Sequence, residues 1–198
     1  RLNGNTNEAE IIKHLYLADG LNFIKNLDGF FSIIIFDTKN KKLYAISDHI
    51  GSEPIFFREI GKGLIISSEI DFLLNFGDIE MDQTRILSFF QCIHPLKNET
   101  FYKQISELQA SQILSYSQNK LKISNYIPFD SNKYADVNGF DEFRILHKNV
   151  FEESVRGCIG NEVKIGTALS GGLDSSTITA ISNNIPEIET SSFTAVFN

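Results

Sequence analysis

The sequence has 198 residues, a length typical of one to two domains. Hydrophobic residues make up 42% of it, which is enough for a folded core and argues against a disordered chain. The net charge of −7 argues against a non-specific nucleic-acid binder, and no apolar run approaches the roughly 18 residues of a membrane span. Two distant cysteines, Cys92 and Cys158, exclude a disulfide scaffold and a cysteine-based zinc site. With free thiols and no signal peptide, a cytoplasmic protein is expected.

The first 125 residues predict antiparallel strands with helices at their periphery. Apolar residues at helical spacing predict a helix over 8–16, and a second short helix follows over 21–27. The aromatic and β-branched run over 29–37 is typical of a strand buried on both faces, and it pairs with 43–46 in a hairpin. Further along, the pattern predicts hairpins over 55–67 and 112–123 and short helices over 70–76 and 84–90.

The sequence changes character near residue 125. Residues 126–138 are polar and irregular, which is typical of a linker between domains. A long helical pattern then covers 140–159, followed by a strand over 163–169, a helix over 175–182 and a strand over 192–197. The order predicts the opening β-α-β unit of a parallel sheet, with a right-handed crossover. The fold prediction is therefore an α+β domain over 1–125 and part of an α/β domain over 139–198.

A glycine- and serine-rich loop connects the strand over 163–169 to the next helix. Two consecutive glycines, Gly171 and Gly172, permit a tight turn and let a ligand approach the backbone. The helix N-terminus adds unpaired N–H groups and the positive end of its dipole, which together suit phosphate. Asp174 would repel bare phosphate, but it fits a site in which Mg²⁺ lies between the two. The alternative is a glycine turn with a serine-rich helix cap that binds nothing.

The loop lacks the lysine of a Walker A motif and the third glycine of a dinucleotide fingerprint. It resembles the S-G-G-x-D-S pyrophosphate loop of the ATP pyrophosphatase superfamily, which also includes NAD synthetases, GMP synthetases and tRNA-thiolating enzymes. The resemblance implies that the loop holds the β- and γ-phosphates of ATP while the α-phosphate is transferred and pyrophosphate leaves. The implied ATP-binding residues, with Asp174 also the Mg²⁺ ligand, are Leu169, Ser170, Gly171, Gly172, Leu173, Asp174, Ser175 and Ser176.

Segments upstream of the loop narrow the choice within this superfamily. Residues 27–37 and 48–55 resemble consecutive motifs of class II glutamine amidotransferase domains, and 67–70 and 99–105 resemble later ones. The order of these segments, followed by linker, helix and loop, resembles that of glutamine-hydrolysing asparagine synthetases. The resemblance implies the C-terminal part of an Ntn-type αββα glutaminase domain, followed by the N-terminal part of a synthetase domain.

Members of this family make asparagine with nitrogen from glutamine. An N-terminal cysteine hydrolyses glutamine, ATP activates aspartate as β-aspartyl-AMP, and the ammonia displaces AMP. Glu8 aligns with the aspartate that binds the α-amino group of glutamine; alternatively, it only favours the first turn of its helix. Ala195, on the strand over 192–197, aligns with an adenine contact; alternatively, it is a core residue.

Several parts of the family pattern do not occur in the sequence. It has no N-terminal cysteine, no N-G-E segment and no second half of the synthetase domain, so we expect an internal and inactive piece of a longer protein, with no catalytic residue of its own. Two alternatives remain open: a related ATP-dependent amide- or lactam-forming cyclase without a working glutaminase, and an inactive binding module. The expected partners are glutamine, ATP and aspartate or another carboxylate, not nucleic acid or membrane, and a homodimer is left open.

Overall fold

The computed structural model describes residues 7–91, 98–127 and 136–196, and the chain divides into two compact units between residues 129 and 130. The first unit begins with a helix and a short 3-10 helix, and antiparallel strands follow. Its elements in chain order are α1 (Glu8–Asp19), the 3-10 helix (Gly20–Asn26), β1 (Ser32–Asp37), β2 (Lys42–Ser47), β3 (Phe56–Ile60), β4 (Gly63–Ser67), α2 (Ile70–Leu73), α3 (Gln83–Phe90), β5 (Ser106–Glu107), β6 (Gln112–Ser117) and β7 (Lys120–Asn125).

A four-stranded antiparallel sheet in the order β1-β2-β6-β7 forms the centre of the first unit. The register places Ile46 of β2 opposite Ile33 and Ile113, so these side chains share one face. Phe23 and Ile24 of the 3-10 helix pack on this face, and Ile24 is fully buried. The two N-terminal helices, which the apolar spacing predicted, therefore form the layer that covers this face of the sheet.

The opposite face of this sheet packs against a second, three-stranded sheet in the order β4-β3-β5. Ala45 and Leu114 of the first sheet are fully buried there against Ile55 and Phe57. The first unit is thus layered as helix, sheet and sheet. These are mixed α/β elements with antiparallel sheets, as the sequence predicted.

The prediction that the first strand is buried on both faces is wrong. Ile33 and Ile35 of β1 pack in the core beneath α1, whereas Ile34 is 56% exposed and Phe36 is 64% exposed. The reason is that β1 is the edge strand of its sheet. The apolar cluster between the two sheets covers Ala45, the partner of Ile34, but it does not extend to β1.

The hairpins and α1 are confirmed, with small differences at the ends of elements. The helix predicted over 70–76 stops at Leu73, because the Asn75 side chain donates 3.2 Å hydrogen bonds to the carbonyls of Asp71 and Phe72. Tyr126, which the sequence placed in the linker, is buried in the first unit and donates a 2.8 Å hydrogen bond to the Ser47 carbonyl.

The second unit contains a parallel strand pair and two helices: α4 (Phe140–Ile159), β8 (Lys164–Ala168), α5 (Leu173–Asn183) and β9 (Glu189–Phe193). α4 is confirmed at both ends, but β9 lies earlier than the strand predicted over 192–197. The parallel register places Phe193 opposite Ala168, the last residue of β8, so the pairing of the two strands ends there. Among the described residues, no helix has the length and apolar character that a membrane crossing needs.

Candidate functional site: the loop between β8 and α5

The candidate phosphate loop begins where β8 ends, and its first residue is fixed through the backbone. The Leu169 N–H donates a 2.8 Å hydrogen bond to the Phe193 carbonyl. The Leu169 carbonyl in turn accepts a 2.8 Å hydrogen bond from Thr194 Oγ1. Both polar groups of the Leu169 backbone are therefore tied to the end of β9. No local sequence pattern indicates this contact, since Thr194 lies 25 residues away.

The turn itself depends on its two glycines in different ways. Gly171 has φ +83°, a conformation that side chains with a Cβ rarely adopt, and the space where its Cβ would lie is open. Gly172 has φ −73° and occupies the N-cap of α5 without a capping side chain. A Cβ at Gly172 would lie 3.5 Å from Ser170 Oγ. The two positions leave the backbone of the turn open to a ligand.

Hydroxyl groups within the loop hold its shape. Ser170 Oγ and Ser175 Oγ lie 3.0 Å apart, and Ser175 Oγ also donates to the Gly172 carbonyl at 3.2 Å. Residues 170–174 are exposed, so the loop is not closed off inside its unit. The first turn of α5 leaves N–H groups without partners in the helix, and its dipole favours an anion there. An open loop of this kind can accept phosphate.

Asp174 is the acidic residue in the first turn of α5, and its side chain is exposed. Within the described ranges, no group of three or more His, Cys, Asp or Glu residues could hold a metal ion. The loop therefore offers a cation a single carboxylate. This donor set fits Mg²⁺ only where phosphate oxygens and water complete the shell, which is how Mg²⁺ binds in many nucleotide sites.

Glu8, the predicted glutamine ligand, is the first residue of α1 in the other unit and is exposed. The neighbouring Asn7 caps the helix by accepting a 3.2 Å hydrogen bond from the Ala9 N–H. No ion pair among the described residues involves Glu8, whereas Glu10 pairs with Lys13 at 3.2 Å. A substrate ammonium group could therefore reach the Glu8 carboxylate without displacing an internal partner.

Ala195 does not lie on a strand, contrary to the prediction. β9 ends at Phe193, and Ala195 follows in an exposed segment without regular structure. The structure thus places residues 169–176 in the loop and the first turn of α5, and Ala195 directly follows Thr194, which donates to the Leu169 carbonyl.

Comparisons with known proteins match both units. The family model for the glutamine amidotransferase domain matches residues 3–127, and that for asparagine synthase matches residues 147–198. Glutamine-hydrolysing asparagine synthetase 3 of Bacillus subtilis is 31% identical over 180 residues, which are 89% of this chain and 29% of the relative. Glutamine-hydrolysing asparagine synthetase 2 of Arabidopsis thaliana is 29% identical over 174 residues, 88% of this chain and 25% of the relative.

A third relative carries a different name: amidase chry2 of Gibberella zeae is 24% identical over 190 residues, 90% of this chain and 27% of the relative. The chain thus spans between a quarter and a third of the length of these curated relatives. With one family model covering more than half of the chain and the second covering the loop, the chain belongs to the glutamine-hydrolysing asparagine synthetase family.

Proposed function

We propose that this chain is part of an enzyme that makes asparagine from aspartate, ATP and glutamine. In this proposal the first unit belongs to an Ntn-type αββα glutaminase domain and residues 139–198 open a pyrophosphate-loop synthetase domain. Its main support is the exposed loop between β8 and α5, where open backbone, hydroxyl groups and one carboxylate meet at a helix N-terminus. The family membership of both units supports the pairing of the two activities.

The loop would act by holding the leaving group of ATP. Backbone N–H groups after Gly172 and the hydroxyls of Ser170 and Ser175 would donate to β- and γ-phosphate oxygens. A side-chain carboxylate oxygen of aspartate attacks the α-phosphorus, and the bond to the bridging oxygen of pyrophosphate breaks. The donors stabilise the charge that develops on pyrophosphate. Asp174 would hold Mg²⁺, which neutralises part of the phosphate charge when bound.

The adenylate solves a leaving-group problem. A free carboxylate would have to lose oxide to become an amide, whereas the mixed anhydride loses AMP. Ammonia attacks the activated carbonyl carbon, the carbon–oxygen bond to AMP breaks, and the excess proton passes to solvent. Activation through a better leaving group is the same principle that makes covalent intermediates useful in catalysis.

The first unit would supply the ammonia. Glu8 at the start of α1 is exposed and outside the described ion pairs, so its carboxylate can accept hydrogen bonds from the α-ammonium group of glutamine. The hydrolysis of the glutamine amide is a separate step that requires a nucleophile. Glu8 therefore binds and orients substrate in this proposal and takes no part in bond making.

The test is exchange of labelled pyrophosphate into ATP by the full-length protein with aspartate present. Asp174→Ala should abolish the exchange, while glutamate release from glutamine in the first domain persists. Asp174→Asn, which keeps the side-chain size without the charge, should lose most of the exchange as well. Exchange by Asp174→Ala at the level of the unmodified protein would contradict the proposal.

A second candidate is ATP-dependent amide formation on a carboxylate other than aspartate. The matches to amidase chry2 of Gibberella zeae and amidase chyE of Penicillium rubens favour it, since neither carries the name of an asparagine synthetase. The same exchange assay with a panel of carboxylic acids separates the two candidates. Exchange that depends on aspartate supports asparagine synthesis, and exchange that depends on another acid supports the second candidate.

A further inference from the structure

Three hydroxyl groups from three different elements form a chain below the phosphate loop. Thr179 Oγ1 of α5 donates to Thr167 Oγ1 of β8 at 3.1 Å. Thr167 Oγ1 lies 3.1 Å from Ser192 Oγ of β9. Thr167 is 8% exposed, so the middle of this chain is shielded from water. We call these three residues the hydroxyl chain.

The hydroxyl chain connects the strand pair to the helix that carries the loop. Thr167 and Ser192 are direct partners in the parallel register, so their contact joins β8 to β9. Thr179 extends this contact to α5. Thr179 is six positions after Leu173, the first residue of that helix. At a rise of about 1.5 Å per residue, the Thr179–Thr167 hydrogen bond therefore lies roughly 9 Å along the helix axis from the N–H groups at its start.

The two sides of the loop are therefore held in different ways. On the entry side, Thr194 and Phe193 fix the Leu169 backbone to β9. On the exit side, the hydroxyl chain fixes α5 to the same strand pair. Between these two ties, the described polar contacts of the loop side chains are among its own residues.

We propose that Thr167, Thr179 and Ser192 are positioning residues. They hold the N-terminus of α5 in the position from which its N–H groups donate to the phosphates. The inference rests on the proposed function of the loop. Donors must lie within hydrogen-bond distance of the phosphate oxygens that they bind, so a shift of the α5 N-terminus weakens the binding of ATP. A tie made of directional hydrogen bonds fixes the height and rotation of α5 better than apolar packing, which tolerates sliding.

A role in apolar packing alone makes a different prediction. Valine has nearly the shape of threonine, so Thr179→Val keeps the packing and removes only the hydroxyl. If packing were the whole role, Thr179→Val would leave ATP binding unchanged, and Thr179→Ser, which loses a methyl group, would be the weaker variant. The hydroxyl chain predicts the reverse order.

The experiment uses full-length protein and measures pyrophosphate exchange as a function of ATP concentration. Thr179→Val should raise the KM for ATP about fivefold or more, and Thr179→Ser, which keeps the hydroxyl, should restore the KM. Thr177→Val is the matched control, since Thr177 Oγ1 donates at 2.7 Å to the Leu173 carbonyl of its own helix and not to a strand. Its KM should stay within twofold of that of the unmodified protein.

The outcomes separate this inference from the function on which it rests. If Asp174→Ala abolishes the exchange but Thr179→Val leaves the KM for ATP unchanged, the positioning role is wrong and the loop assignment stands. If Asp174→Ala leaves the exchange intact, both fail. Should Thr179→Val not fold, Ser192→Ala gives the second test, because Ser192 is exposed and forms the far end of the hydroxyl chain. An unchanged KM for ATP in a folded Ser192→Ala protein would likewise overturn the positioning role.

Discussion

Tyr16 Oη donates a 2.8 Å hydrogen bond to Asp37 Oδ2, and this contact joins α1 to the last residue of β1. Asp37 also accepts from the backbone and side chain of Asn40 at 2.9 and 2.8 Å. Hydrogen bonds from Asn40 and then Tyr16 lower the pKa of Asp37 to about 2. Burial and the bond to Asp37 raise the pKa of Tyr16 above its ordinary value. No residue of α1 is buried, although Ile12 and Tyr16 pack against the core, so the hydrogen bond adds a directional contact to this apolar packing.

Tyr16→Phe should lower the midpoint of thermal unfolding by a few degrees near neutral pH. Phenylalanine keeps the apolar contacts of the ring and lacks the hydroxyl that donates to Asp37. The loss should depend on pH. A carboxylate whose pKa falls on folding contributes stability above its unfolded pKa near 4, and this contribution disappears as pH falls through about 2. The difference between Tyr16→Phe and the unmodified protein should therefore shrink between pH 4 and pH 2.

The measurement is thermal unfolding of both proteins across that pH range, and Asp37→Asn serves as the control. Asparagine keeps an oxygen that can accept from Tyr16 but does not titrate. In the Asp37→Asn background, the effect of Tyr16→Phe should be small and independent of pH. An effect of Tyr16→Phe that is equally large at pH 2 and pH 6 would contradict this explanation.

Asp48 supports a different prediction, because its carboxylate organises the loop after β2. It is fully buried and accepts from the N–H groups of Phe31, Ile50 and Ser52 at 3.0, 2.9 and 3.1 Å, and from the Ser52 hydroxyl. Burial raises the pKa of Asp48, but hydrogen bonds from Ser52, Phe31 and Ile50 outweigh it and hold the pKa below its usual value.

Asp48→Asn should therefore destabilise the protein by about 2–3 kcal/mol, because the new amide N–H group faces donors and leaves at least one of them unpaired. The measurement is the free energy of unfolding in urea. Asp78→Asn is the control, since Asp78 is exposed and its change should stay within about 0.5 kcal/mol. Equal stability losses in the two variants would show that the Asp48 bonds contribute nothing of their own.

These contacts mark the limit of prediction from the sequence. Gly171, Gly172 and Asp174 are near neighbours in the chain, so the local pattern was sufficient to predict the turn between β8 and α5. The Tyr16–Asp37 contact joins residues 21 positions apart, and no local sequence pattern predicts it. The same is true of Thr194, whose bond to Leu169 spans 25 residues.

The error at β1 has a related cause. Composition and period predicted a strand correctly, but the number of covered faces depends on where the strand lies in its sheet. Ile34 and Phe36 have the apolar character of core residues and are nevertheless exposed, because β1 is at the sheet edge. Only the strand order β1-β2-β6-β7 reveals that position.

The two glycines of the phosphate loop should respond differently to alanine. Gly171→Ala forces a Cβ into φ +83° and should destabilise the second unit by about 1–2 kcal/mol as well as weaken ATP binding. Gly172→Ala meets no backbone strain, since φ is −73°, but it adds a methyl group 3.5 Å from Ser170 Oγ. It should raise the KM for ATP while the unfolding midpoint stays within about a degree of that of the unmodified protein.

Unfolding curves and pyrophosphate exchange, measured on both variants of full-length protein, test this contrast. Gly61→Ala is a control for strain alone, because Gly61 has φ +58° and lies in the β3–β4 turn of the other unit. It should lower stability without changing the KM for ATP. If Gly172→Ala bound ATP as well as the unmodified protein, the backbone at this position would not face the phosphates.

Glu8 gives the last prediction, which concerns glutamine. Glu8→Ala should raise the KM for glutamine roughly tenfold or more, because a hydrogen bond to a charged group contributes about 1.5–3 kcal/mol and each 1.4 kcal/mol is a factor of ten. Asparagine synthesis from added ammonia should be unchanged, since it bypasses glutamine. Glu8→Gln should raise the KM for glutamine as Glu8→Ala does, because the amide lacks the charge that attracts an ammonium group.

Glu10→Ala is the matched control on the same helix, since Glu10 also favours the first turn of α1 but pairs with Lys13. If the role of Glu8 were only to stabilise the helix dipole, Glu8→Ala and Glu10→Ala would lower the unfolding midpoint alike and shift the KM for glutamine equally. A substrate role instead predicts that the KM for glutamine moves in Glu8→Ala alone. Asn7, the N-cap, stays in place in both variants, so the start of the helix is the same and the difference reports on the carboxylate of Glu8.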